Sequence, residues 1–233
     1  MGKKVSLRRR PRQARGERRL DKILAAAAVV FAKVGYEAAT TNAIARQAGA
    51  SIGSLYQFFP NKEAILHALA ARYLAELRAV HDRMLDEQAV HVPLGALYDR
   101  IIGLLADFHA AHPAFMNLFM GSTASAFLAA AAKQLTEECI DRVDRLMAAR
   151  EPRIPAPRRR LCATINVNVI KTLLPLSQSL APEARAGLFI EIKELLMAHM
   201  MKVIKESGGA PISARRRISS RALPGSDGAL DCH

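Results

Sequence analysis

The stretch from Thr40 to Phe59 constrains this chain more than any other. Its apolar residues follow a helical period in two runs too short to stand alone. It reads Thr40-Thr41-Asn42-Ala43-Ile44-Ala45-Arg46-Gln47-Ala48-Gly49-Ala50-Ser51-Ile52-Gly53-Ser54-Leu55-Tyr56-Gln57-Phe58-Phe59, two short helices joined by a turn at Gly49. Helices shorter than about a dozen residues are marginal in water, so neighbours must brace both. Ile44, Ala45, Ala48, Leu55 and Phe58 have the spacing of a small buried face. Ser51, Ile52, Gly53, Ser54 and Gln57 remain for an outer face. That chemistry suits a DNA groove, because Ser and Gln bond base edges or phosphates and Ile52 can touch a thymine methyl. Tyr56 can set its hydroxyl on a phosphate. Lys62 opens the next helix, where its charge and the helix terminus favour the same anion.

Charge points to the same kind of partner. The formal net charge is +13 over 233 residues, with a pI near 10.2, as expected for a protein that meets a polyanion. The charge is concentrated at the start. Lys3, Lys4, Arg8, Arg9, Arg10, Arg12, Arg15, Arg18 and Arg19 face only Glu17 in the first twenty positions. Such a block cannot collapse, and residues 1–17 are expected to be an unstructured basic arm. Beside a DNA-binding helix the block, with Arg8, Arg9 and Arg10 the members placed at the DNA, could neutralise phosphates or enter a minor groove.

Hydrophobic residues make up 51% of the chain, Trp is absent and β-branched clusters are few, which favours an all-α fold. Leu20, Ile23, Leu24, Ala27, Val30, Phe31 and Val34 recur at three- and four-residue steps and predict a helix from Arg18 to Val34, closed by Gly35. Thr40 or Thr41 caps the next helix, which ends at Ala48, and Ser51 caps Ile52 to Phe58. Pro60 stops that helix. Asn61 caps a long one from Lys62 to about Glu87, with Ile65, Leu66, Leu69, Tyr73, Leu77, Val80 and Met84 on one side. Shorter helices are expected at 93–110, 113–120 and 122–149, then a rigid Pro-rich linker at 151–157. Two more follow at 158–180 and 182–205, the first kinked or ended near Pro175. From Ser207 the composition predicts disorder. No repeat and no strand is evident.

Residues 20–66 resemble the DNA-binding domain of TetR-family transcriptional regulators. The resembling residues are Ile23-Leu24, Ala26-Ala27, Phe31, Gly35-Tyr36, Thr40-Thr41, Ile44-Ala45, Ala48-Gly49-Ala50-Ser51, Gly53-Ser54-Leu55-Tyr56, Phe59 and Lys62-Glu63. The resemblance implies an all-helical homodimer, with three N-terminal helices reading operator DNA and a C-terminal domain binding an effector. It places Thr41, Asn42, Ser51, Ile52, Gly53, Ser54, Tyr56, Gln57 and Lys62 at the DNA. Phe58-Phe59 departs from the aromatic–histidine pair many relatives carry, so a phosphate contact made from there is not expected. The domain reading is then a basic arm (1–17), a helix-turn-helix domain (18–66), a larger helical effector and dimerisation domain (67–206) and a tail (207–233).

The C-terminal half is less explicit. Phe108, His109, His112, Phe115, Met116, Phe119 and Phe127 cluster within about twenty positions. They suit an adaptable apolar pocket for a small lipophilic effector, or plain core packing. His109 and His112 stand one turn apart, but only Asp107 lies near and it points elsewhere, so no metal site is expected. Leu161, Ile165, Val169, Leu173 and Leu176 form one stripe; Leu188, Ile192, Leu195, Leu196, His199 and Val203 form another. Paired with a second chain they build a four-helix bundle, or they face the chain's own core.

Catalysis finds little support. There is no Gly-x-Ser-x-Gly, no phosphate loop and no cofactor motif, and Glu137-Glu138 reads as a solvated helix edge. Cys139, Cys162 and Cys232 are widely separated and fit a reducing cytoplasm. The apolar run Ile23 to Ala32 is too short for a membrane span and makes a poor signal peptide. The expectation is a DNA-binding repressor released from a palindromic operator by an effector. The alternatives are an activator, a ligand-independent DNA-binding protein, or a helical enzyme with a basic tail.

Overall fold

The computed structural model describes residues 10–113 and 126–208, with side chains from Arg15 onward. Among these residues every regular element is helical. The eight α-helices are α1 (Arg10–Ala38), α2 (Thr41–Gln47), α3 (Ile52–Tyr56), α4 (Lys62–Met84), α5 (Leu94–Ala111), α6 (Ala126–Arg150), α7 (Ala156–Leu173) and α8 (Pro182–Glu206). Single 3-10 turns lie at Glu87–Val90 and Leu174–Ser179. None of the helices is long and apolar enough to cross a membrane.

Helix boundaries follow local chemistry. α1 begins at Arg10, ahead of the apolar period that starts at Leu20, so the basic segment from Arg10 to Glu17 is helical where an unstructured arm was expected. Gly35 breaks α1 with φ 75° and ψ 169°. That is an extended, glycine-only conformation and not the left-handed cap the sequence implied. The Thr40 hydroxyl accepts from the Ala43 amide at 3.1 Å, which settles the cap of α2, and the Ser51 hydroxyl accepts from the Ser54 amide at 3.1 Å for α3. Asn61 Oδ1 accepts from the Ala64 amide at 2.8 Å and opens α4. α7 ends at Leu173, two residues before Pro175, as its missing amide requires. The expected helix at 113–120 lies almost wholly outside the described residues.

The chain divides into two compact units. The first draws on residues up to 82 and 105–138, the second on 83–104 and from 139 onward. In the first, Ile23, Phe31, Ile44, Leu55, Ile65 and Leu66 are essentially inaccessible to water and form the core under the short helices. Val34, expected on the inner stripe of α1, is instead half exposed, because the chain breaks at Gly35 directly after it. Arg78 Nε donates to Glu138 Oε2 at 2.8 Å and its Nη2 to Oε1 at 3.2 Å. Glu138 is therefore half of a fork-to-fork ion pair, not a solvated edge.

The second unit buries Ile192, Leu196, Met200, Val203 and Ile204 of α8 and Cys162, Ala163, Asn166 and Ile170 of α7. Burial keeps the Tyr98 phenol protonated, and it donates to Asn166 Oδ1, whose amide in turn donates to the Cys162 carbonyl at 2.8 Å. The segment expected as a linker at 151–157 is anchored by the buried Glu151 and Ile154, its other residues are exposed, and the next helix starts within it at Ala156; just before it, Arg150 donates to the Ala89 and Val90 carbonyls. Burial pushes the Cys139 thiol up to about 11 and raises that of Cys162, so both remain un-ionised.

Candidate nucleic-acid interface

The short helices are held from beneath and left open above. Ile44 and Leu55 are fully buried and Ala45 nearly so, with α2 packed on α1 and α3 on α2. Gly49 makes the turn with φ 62°, a conformation that costs residues with a Cβ about 1–2 kcal/mol. Ala48 is only half-buried. Phe58 is also half-buried, and Phe59 fills the core position expected of it. The reason is that α3 stops at Tyr56, so the helical register that carried Phe58 inward is lost.

Ser51, Ile52, Gly53, Tyr56 and Gln57 are exposed, Ser54 is half-buried, and Asn42 is exposed at the head of α2. The Tyr56 hydroxyl and Thr41 Oγ1 lie 3.2 Å apart in a hydrogen bond. It joins α2 to α3 on the outer side, so two of the expected contact residues form one unit. Lys62 is half-buried. Its ammonium donates to the Tyr36 carbonyl at 2.8 Å and the Glu37 carbonyl at 3.1 Å, and sits 4.3 Å from the Tyr36 ring centre. Two of its three N–H groups are thus engaged at the end of α1, leaving one for an outside anion. Nothing in sequence spacing announces this link across 26 positions. Arg10 begins α1, while Arg8 and Arg9 lie outside the described residues.

A hollow of about 280 Å³ opens beside the α2–α3 turn, lined by Arg19 and Lys22 of α1 and by Ser51 and Ser54. Arg19 belongs to the basic block expected to neutralise phosphates, whereas Lys22 had no expected role. Their spacing, one turn apart in a helix facing the turn, was the available signal.

The described members of the expected effector set fall in the first unit. Phe108 and His109 are buried, and His112 is half-buried with its Nε2 2.9 Å from Glu76 Oε2. The His112 ring lies 4.7 Å from Phe108 and 5.0 Å from Tyr73. Burial, then the neighbouring His112, pulls His109 down to about 4. Phe127 is 45% exposed, with its ring 4.1 Å from that of His67. Phe115, Met116 and Phe119 lie outside the described residues. No group of three metal-ligating side chains occurs among the described residues.

The two expected dimer stripes separate into inner and outer faces. Ile192 is 1% exposed and belongs to the core of its own unit, as do Leu196 and Val203. Leu161 and Leu195 are about half exposed, at 49% and 53%. Ile165, Val169, Leu173, Leu188 and His199 are intermediate.

A buried three-helix core carrying an open helix-turn-helix, continued by a longer helical region, defines a DNA-binding regulator of the helix-turn-helix class. The family model for bacterial regulatory proteins of the tetR family matches residues 23–69, and that for tetracyclin repressor-like C-terminal domains matches residues 93–200. The chain belongs to the TetR family. It is 37% identical over 71 residues to the HTH-type transcriptional repressor KstR of Mycolicibacterium smegmatis, covering 30% of this chain and 34% of that one. The chain thus spans about a third of the length of the curated repressors it matches. A TetR-family regulator from Streptomyces coelicolor is 27% identical, with a TM-score of 0.54 over 79% of this chain and 99% of that one. FadR from Bacillus subtilis, solved with stearoyl-CoA, shares the fold at 19% identity, with a TM-score of 0.58 over 76% of this chain and 96% of that one.

Proposed function

We infer that this protein is a one-component transcriptional repressor: a cytoplasmic homodimer that binds a pseudo-palindromic operator and is released by a small lipophilic effector. The observation that carries the reading is the open face of α3. Ser51, Ile52, Gly53, Tyr56 and Gln57 are solvent-exposed while Leu55 behind them is fully buried. A five-residue helix held so firmly and left polar outside is a presenting device.

Residues 18–66 act as the reading domain. Gln57 and Ile52 address base edges, whereas Ser51, Tyr56, Thr41, Asn42 and Lys62 hold phosphates and set the register. Residues 67–206 bind effector and partner. The half-exposed leucines Leu161 and Leu195, with Ile165, Val169, Leu173 and Leu188, support an isologous helical interface. Tyr73, Phe108 and the paired His112–Glu76 offer an aromatic wall with polar groups on one side, which supports a lipophilic effector carrying a polar head. The effector shifts the DNA-binding equilibrium only by its affinity difference between the two states.

Duplexes selected by the wild-type chain from a random library supply the test. Tyr56→Ala weakens binding to all of them about equally, whereas Gln57→Ala changes the preference among them. Unchanged affinity and preference in both variants rejects this docking.

A further inference from the structure

The hollow beside the α2–α3 turn carries two cations on one wall. Three cations of the same unit are held by partners of their own. Arg72 is 3.3 Å from Asp21 and 3.0 Å from Glu76, Arg78 is locked to Glu138, and Lys62 is held on the carbonyls that end α1. Arg19 and Lys22 line the hollow together, and among the described residues their side chains form no ion pair or hydrogen bond. Two like charges one turn apart repel each other, a cost that an anion between them removes.

The opposite wall is equally suited to an anion. Ser51 Oγ accepts from the Ser54 amide, which leaves its hydroxyl hydrogen free to donate outward. Small residues at 48–50 keep the mouth open. The charge also continues along α1. Arg15, Arg19 and Lys22 are spaced by four and then three residues and share one helical face. A row of cations matches an elongated polyanion better than a single small ion, and the row ends at the base-reading helix.

We propose that Arg19, Lys22 and the Ser51 hydroxyl form a backbone-phosphate clamp for duplex DNA, and that Arg15 extends it along the same strand. The inference rests on the DNA-reading assignment of α3 given above. The clamp grips the strand on the α1 side of the groove and so fixes how far α3 enters, without reading any base.

The test uses the full chain, a duplex selected by it, and a scrambled duplex of equal length, at 50 to 300 mM KCl. In Arg19→Gln/Lys22→Gln, the slope of log affinity against log salt becomes shallower by about one to two, as expected for one or two lost phosphate contacts. Affinity near 150 mM salt falls about 10- to 100-fold on both duplexes, and the ratio between them stays the same. Lys33→Gln/Lys205→Gln removes the same charge from exposed positions elsewhere and stays within about twofold of wild type. The charge-keeping pair Arg19→Lys/Lys22→Arg retains most of the wild-type slope. The proposal is overturned if the Gln pair behaves like the Lys33/Lys205 control, or if it changes the ratio between duplexes. A wild-type chain that shows no preference for any duplex defeats the regulator reading itself, a separate result.

Discussion

The Lys62 ammonium lies 2.8 Å from the Tyr36 carbonyl oxygen and 4.3 Å from the centre of the Tyr36 ring. One side chain therefore closes the end of α1, takes up a cation–π contact and stands at the first position of α4. The residue expected to be a phosphate ligand is also a strut between α1 and α4.

Lys62→Met should accordingly lower stability as well as DNA affinity. Hydrogen bonds to a charged donor contribute about 1.5–3 kcal/mol, and partial exposure places this pair toward the lower end. Thermal denaturation in the absence of DNA checks it. A melting midpoint equal to that of wild type would show that the contact to Tyr36 contributes nothing.

His109 gives the protein a pH dependence with a definite sign. Its folded-state value, about 4, lies below the usual 6.5, because burial penalises the cation and His112 repels it. The unfolded chain then binds more protons between these values. Stability is complete above pH 6.5 and declines as pH falls toward 4, by up to about 3 kcal/mol for the whole shift. His109→Gln should flatten urea-unfolding stability across that window. A variant with the same pH slope as wild type would assign the dependence elsewhere.

In the proposed homodimer, Leu161→Asp combined with Leu195→Asp should give folded monomers. Both side chains are already about half exposed in the single chain, so their replacement leaves the core intact. Burying the remaining half of each leucine is worth about 1 kcal/mol, and an isologous interface counts every site twice. Sedimentation and the helical circular-dichroism signal together check this. A dimer that survives the double change would place the interface on another face.

Regular spacing was the most legible part of the chain. All seven residues of the α4 stripe, from Ile65 to Met84, are buried, because three- and four-residue steps over more than about five turns allow only one helical face. The caps at Thr40, Ser51 and Asn61 were equally readable, since the side-chain acceptor and its amide are three positions apart. Apolar spacing alone did not say which way a helix with two apolar faces turns. On α7 the expected stripe flanks the buried column of Cys162, Ala163, Asn166 and Ile170, with Leu161 open to water. Contacts made between distant positions left no trace either. The Arg78–Glu138 pair spans 60 positions, and no local rule connects them. The same holds for Lys62 and Tyr36, which is why the site's supporting strut emerged only from the coordinates.

The central claim is that the outer face of α3 reads DNA and is presented twice. Selection of duplexes from a random library by the full chain, followed by the mass of the complex on the enriched site, tests it directly. The expected result is a site of inverted half-sites about one helical turn apart, occupied by chains in multiples of two. Enrichment of no common sequence, or a single chain bound to an asymmetric site, would contradict it.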